Sequence, residues 1–207
     1  MPYDLAVGMR FELELSWLTP ALRDLERHRP ERTLHLVFGD SPDLLSRVRN
    51  GLLDCVITST RLATGGLSYE TLHDEDYVFV ASAALLARRP LRVAEHAAGH
   101  VLLDAAPDLP LFRYFLDATR HRDVWSFSKV EQLGTIGAIR LRLLQCASVA
   151  VLPRYFVARD LGARRLLRIL PGVRLQRDAF CLVWRTGHPR QRELRDLATD
   201  LRRFPLQ

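Results

Sequence analysis

Thr135 stands at the head of a helical run, Thr135 to Gln145, where its hydroxyl can cap the first turn. Unpaired N–H groups and the helix dipole at such a position favour an anion. Thr135 is therefore an ordinary cap or a cap that also touches a ligand, and one facing a cleft does both. Thr58, Ser59, Thr60 and Arg61 leave the carboxyl end of an apolar strand, the place where open α/β sheets take their ligands. They line such a site or form a polar surface loop. Arg10 follows another strand and has the fork that clamps a carboxylate, unless it pairs with Glu12 or a more distant acid. An inward-facing Arg10 implies a carboxylate or another anion as ligand. Ser82 and Asp104 close two further strands, and Phe127 offers either an apolar wall or a piece of core.

Other chemistry finds little footing. There is no G-x-S-x-G elbow, no phosphate-binding P-loop and no G-x-G-x-x-G, and Gly65-Gly66 reads as turn chemistry. His96 and His100 have a metal-ligand spacing beside Glu95, but Gly99 interrupts the helix that would align them and no third ligand is evident. Neither a metal nor a cofactor is expected. Cys55, Cys146 and Cys181 are widely spaced among apolar neighbours, the pattern of reduced buried thiols. With no converging nucleophile or acid–base pair, an enzyme is the weaker reading.

The chain around these residues has 207 positions, a formal charge of +6 and 48% hydrophobic residues, a globular composition. No apolar run approaches the roughly 18 residues of a membrane span, and Met1 to Asp4 does not open a signal peptide. A cytoplasmic protein with no membrane partner is the expectation. The positive charge is almost wholly arginine, Lys129 being the only lysine. The pairs Arg88-Arg89, Arg164-Arg165 and Arg202-Arg203 are scattered and not interleaved with aromatics. A solvated arginine-rich surface explains them better than a direct DNA face.

The elements that position the candidates alternate. Tyr3 to Val7 reads as a strand, then Leu15, Leu18, Leu22 and Leu25 mark a helical stripe that Thr19-Pro20 restarts or kinks. Thr33 to Phe38 is a second strand. Ser41 is the natural cap of the next helix, Pro42 fits its first turn, and Asn50-Gly51 stops it. Leu53 to Ile57 follows as a strand buried on both faces. This β-α-β-α-β order implies a parallel sheet with right-handed crossovers. Beyond a Thr60 to Gly66 loop, strands are expected at Tyr77 to Ala81, Val101 to Leu103, Val124 to Phe127, Ser148 to Leu152, Leu166 to Leu170 and Ala179 to Trp184. Helices are expected at Pro110 to Arg120, Thr135 to Gln145, Phe156 to Leu161 and Gln191 to Arg203.

The run Gly39-Asp40-Ser41, Leu44-Leu45, Gly51-Leu52-Leu53-Asp54-Cys55-Val56-Ile57 closely resembles the "GDS…LL…G.LD.AI" segment of LysR-type transcriptional regulators. Leu18-Thr19-Pro20-Ala21-Leu22 is similar to that family's entry to its first helix. Thr135 to Pro153, ending in Val149-Ala150-Val151-Leu152-Pro153, is similar to its later helix–strand run, and Cys181 to Arg185 to its return strand. Met9 to Glu12 depart from the family's usual small hydroxyl residue, and Cys146 and Ser148 stand where it usually has glycines.

The resemblance implies an α/β fold of two Rossmann-like lobes with crossing strands, like a type 2 periplasmic binding protein. Residues 1–80 plus 179–207 would form the first lobe and 81–178 the second, with a small-molecule cleft between them. It further implies an effector sensor that works by population shift within a homodimer or homotetramer. Leu15 to Arg27 and Leu34 to Phe38 would lie at the subunit interface. DNA would be reached only through an N-terminal winged helix-turn-helix domain that these residues do not include. A transport solute receptor would share the architecture, and a two-lobed α/β enzyme is the third reading.

Overall fold

The protein is described by a computed structural model covering residues 1–59, 65–120, 123–145 and 148–206, without the side chains of Glu14 and Leu15. It divides into two compact units, Met1–Glu75 with Asp178–Gln207, and Asp76–Arg177. The division falls at Glu75/Asp76, slightly ahead of residue 80, and again at Arg177/Asp178.

The first unit is a five-stranded sheet in the order β2-β1-β3-β10-β4. Strands β1 (Tyr3–Met9), β2 (Arg32–Phe38) and β3 (Cys55–Thr58) run parallel, as the β-α-β-α-β reading requires. The antiparallel strand β10 (Asp178–Arg185) joins β3 to β4 (Leu67–Glu75). Every residue of β3 is buried, which explains its unbroken apolar run. The helical stripe after β1 begins as a single turn, α1 (Phe11–Leu13), widens to a π-helical turn over Glu14–Leu18, and restarts as α2 (Thr19–His28) with Pro20 in its first turn. Proline has no N–H to donate backwards, so the regular ladder cannot run through it.

Helix α3 (Ser41–Arg49) corrects one expectation. Its cap is Asp40, whose Oδ1 accepts from the Asp43 N–H at 2.9 Å, while Ser41 is already helical. Aspartate and serine cap about equally well, and the extended backbone at Asp40 settles which of them stands outside the helix. Asn50 closes α3 as expected, and Gly51 at φ 73° takes the left-handed turn. At the other end of the chain, α8 (Gln191–Leu201) carries Asp200, 2% exposed, which accepts from Arg32 at 2.9 Å. Two buried charges thus neutralise each other across 168 residues of sequence.

The second unit has the sheet order β7-β6-β8-β5-β9. Strand β5 (Tyr77–Ser82) runs antiparallel to both β8 (Ser148–Pro153) and β9 (Leu166–Arg168). Strand β6 (Val101–Asp104) runs parallel to β8 and to β7 (Lys129–Gln132). Its helices are α4 (Ala83–Arg88), α5 (Phe112–Ala118), α6 (Ile136–Leu144) and α7 (Arg154–Gly162), with a 3-10 turn at Ala94–Gly99. The core is aromatic: Phe79, Phe112, Phe115 and Trp125 meet edge to face or tilted, except Phe112 and Phe115, which stack, with centroids 4.9–6.4 Å apart.

Two further expectations are corrected here. Val124 to Phe127 forms no strand, because Trp125 and Phe127 turn into the aromatic core and Val124 is 85% exposed. Pairing starts later, where the Ser128 N–H and hydroxyl both donate to the His100 carbonyl and set Lys129 beside Val101. Strand β4 is an element the pattern did not show. Its charged edge residues and the register shift between Phe180 and Cys181 break the alternation that would have marked it.

Candidate functional site

In the first unit the parallel strands deliver several candidates to one end of the sheet. Met9 pairs with both Phe38 and Ile57, so Arg10, Gly39 to Ser41 and Thr58 leave the sheet at the same level. The Gly39 N–H donates to the Met9 carbonyl at 3.3 Å, and the Thr58 hydroxyl, 1% exposed, donates to Ser41 Oγ at 3.1 Å. Ser59 follows half-buried. Thr60 and Arg61 lie outside the described residues, as do Cys146 and His121.

Arg10 is committed to a distant acid rather than to Glu12. Its Nη2 lies 3.4 Å from Oε1 of Glu75, a carboxylate with no exposed surface at the end of β4. Its Cζ stands 5.9 Å from the centroid of Phe180. Because β4 and β3 both run against β10, Glu75 belongs to the same sheet end as Thr58. Two exposed aromatics complete this end: Phe11 and Phe38 meet edge to face at 6.1 Å, 55% and 41% exposed. Sequence reading passed over Glu75, Phe11 and Phe38. The only available signal for the pair was two phenylalanines flanking strand ends, which core positions share.

In the second unit Asp104 and Thr135 come together. Asp104 has no exposed surface, and its carboxylate accepts from the N–H groups of Ala105 (2.6 Å), Leu111 (3.2 Å) and Phe112 (2.8 Å). Burial, outweighing these bonds, raises its pKa above the ordinary value. The loop beyond β7 is pinned to the end of β6, with the Leu133 N–H on the Asp104 carbonyl (3.0 Å) and the Gly134 N–H on the Ala105 carbonyl (3.1 Å). That fixes the start of α6, where exposed Thr135 caps through Ala138 N–H to Oγ1 at 3.2 Å. Gly134 holds φ 72°, a turn that favours glycine.

Ser82 and Phe127 are placed apart from these. Ser82 closes β5, which runs against β8, so it leaves the sheet at the opposite end from Asp104. It is buried and caps α4 by accepting from the Leu85 N–H at 3.2 Å. Phe127 packs edge to face on Phe112 at 5.2 Å, against the aromatic core.

His96 and His100 do not form a metal centre among the described residues. His96 Nδ1 accepts from the Arg92 N–H at 3.3 Å, and buried His100 is kept neutral-leaning by burial and by the charges of Arg89 and His96. Among the described residues no three His, Cys, Asp or Glu side chains are placed to hold a metal ion. Cys55 is buried and Cys181 half-buried, and burial pushes both thiols up, Cys55 far beyond physiological pH. No helix among the described residues is long and apolar enough to cross a membrane.

Two α/β units joined by two chain crossings, each with parallel strands ending in polar turns, define the type 2 periplasmic-binding-protein-like class of ligand-binding domain. The chain belongs to the LysR substrate binding domain family, whose model matches residues 4–204. It is 31% identical over 166 residues to the HTH-type transcriptional regulator AbaB of Streptomyces antibioticus, a match that takes in 75% of this chain and 53% of that protein. The chain thus spans about half the length of the curated relative it matches. Its fold is similar to the regulatory domain of CrgA, a LysR-type regulator from Neisseria meningitidis, with a TM-score of 0.82, 20% identity and 98% of each chain covered. It is equally similar to the reduced regulatory domain of OxyR2 from Vibrio vulnificus, with a TM-score of 0.81, 17% identity, and 100% and 97% covered.

Proposed function

We propose that this chain is the effector-sensing part of a longer transcriptional regulator, that its effector is a small anion, and that it does no catalysis. The single observation that carries the anion is the exposed Thr135 cap. Two backbone bonds from Leu133 and Gly134 fix it at the carboxyl end of β6, where the first turn of α6 presents N–H groups and the positive end of its dipole. In the first unit Arg10, Ser59 and the Ser41 hydroxyl, which itself accepts from buried Thr58, supply a second set of donors at one sheet end.

Family membership supports the sensor over a transport receptor, and the regulator AbaB supports the attached DNA-binding domain. Effector binding favours one arrangement of the subunits, and the DNA-binding domains report it. A homodimer or homotetramer fits β2, an edge strand of its sheet, and α2, whose buried residues are only Ala21 and Leu25. Sedimentation of the chain tests that assembly, with Leu34→Lys on β2 expected to shift it toward monomer.

The test of function is a thermal-shift screen against small metabolites weighted toward carboxylates. A ligand at about 100 times its Kd stabilises by roughly 2.7 kcal/mol. Anion hits that Thr135→Ala weakens support the reading; hits confined to neutral compounds contradict it.

A further inference from the structure

The second unit carries an open surface pocket of about 280 Å³, apart from the candidate effector groups described above. It opens between the end of α4 and the chain leaving β9. Strand β9 stays in the ladder only from Leu166 to Arg168. The Ile169 N–H still reaches the Phe79 carbonyl at 2.8 Å, and then Leu170 turns away at φ 46°, a conformation leucine rarely adopts. Pro90 and Pro171 stiffen the two rims. Leu91 and Ile169, each 4% exposed, together with half-buried Leu86 and Leu170, make an apolar lining.

Two arginines, Arg92 and Arg168, complete the lining, both exposed. Arg168 Nη2 donates to the Pro171 carbonyl at 3.4 Å, a neutral partner, and among the described residues no ion pair to Arg168 is seen. The neighbouring Arg88 and Arg89 likewise donate to carbonyls, of Ala84 and Gly99. Across Ala83 to Gly99 three arginines face a single acid, Glu95. The mouth is therefore positive and the floor apolar. At about 280 Å³ it sits near the small end of ligand pockets.

We propose that this pocket is a separate binding site for a small amphipathic carboxylate. The tail lies on Leu86, Leu91, Ile169 and Leu170, and the headgroup meets Arg92 and Arg168, where charge-assisted bonds reward an anion. The site does not depend on the effector reading, since it shares no residue with it.

Octanoate is the probe, added to the isotopically labelled chain while backbone amide shifts are followed. Octanol removes the charge and acetate removes the tail. Octanoate is expected to give saturable shifts at Leu91, Arg92, Ile169 and Leu170, with at least tenfold weaker response to octanol and acetate. The double variant Arg92→Gln, Arg168→Gln, at exposed positions that leave the core intact, should weaken octanoate at least tenfold. Equal binding of octanol, wild-type affinity in the double variant, or absence of saturation would each overturn the proposal. So would shifts centred on Arg10, Ser59 and Thr135, which would place octanoate on the effector groups and leave this pocket without a role.

Discussion

Arg10 holds Glu75: its Nη2 stands 3.4 Å from Oε1 of a carboxylate with no exposed surface, while the arginine side chain itself keeps 29% of its own. The guanidinium is held by a buried acid and also lies over the ring of Phe180, 5.9 Å from its centroid. Arg10→Ala should therefore lower stability by about 1.5–3 kcal/mol, the usual worth of a hydrogen bond to a charged group, and also weaken anion binding. Arg10→Lys keeps the charge but loses the planar fork. It should restore most of the stability and little of the binding, as read by denaturant titration and calorimetry on the same samples. Restoration of both would reduce Arg10 to a structural partner of Glu75.

Asp104 is the counterpart in the second unit, a buried anion satisfied by three backbone N–H groups. Asp104→Ala leaves those donors unpaired and should cost about 3 kcal/mol or more at neutral pH. The pH dependence carries a sign. Burial raises the folded pKa above 3.8, so the folded chain holds this proton more tightly than the unfolded one. Asp104's contribution to stability then falls as pH rises from 3.8 through the folded value. Measured against Asp104→Asn, which cannot titrate, the wild-type advantage should shrink over that window. A flat or widening gap would contradict the burial argument.

His100 works in the opposite sense. Burial, helped by the Arg89 and His96 charges, lowers its pKa below 6.5. The unfolded chain therefore takes up this proton first, and the stability His100 contributes is present above pH 6.5 and lost as pH falls below it. Denaturant midpoints between pH 7.5 and 5 should show an acid-side loss of at most about 1.4 kcal/mol per pH unit from this group. His100→Gln should remove that slope.

The fold was legible where the sequence repeats one physical pattern, and the site much less so. The proline, stop and apolar run from Pro42 to Ile57 dictate helix and buried strand with little help from elsewhere, although the cap itself is Asp40 and not the Ser41 that the sequence suggests. Thr135 was readable as a cap for the same reason, because capping is local chemistry. Strand β4 escaped because its pairing with β10 is long-range and its alternation is broken by a register shift. Val124 to Phe127 misled because aromatic residues favour strands and cores alike, and here the core took them. The partner of Arg10 lies 65 residues away, and nothing local to Arg10 or Glu75 marks either as the other's mate.

The central claim is that the donors at the ends of the parallel strands take up a small anion. The most direct measurement is the amide-shift footprint of the best anionic hit from the thermal screen. Saturable shifts are expected at Thr135 to Ala138, the capped first turn of α6. A tight-binding anion whose footprint spares that turn would contradict the reading.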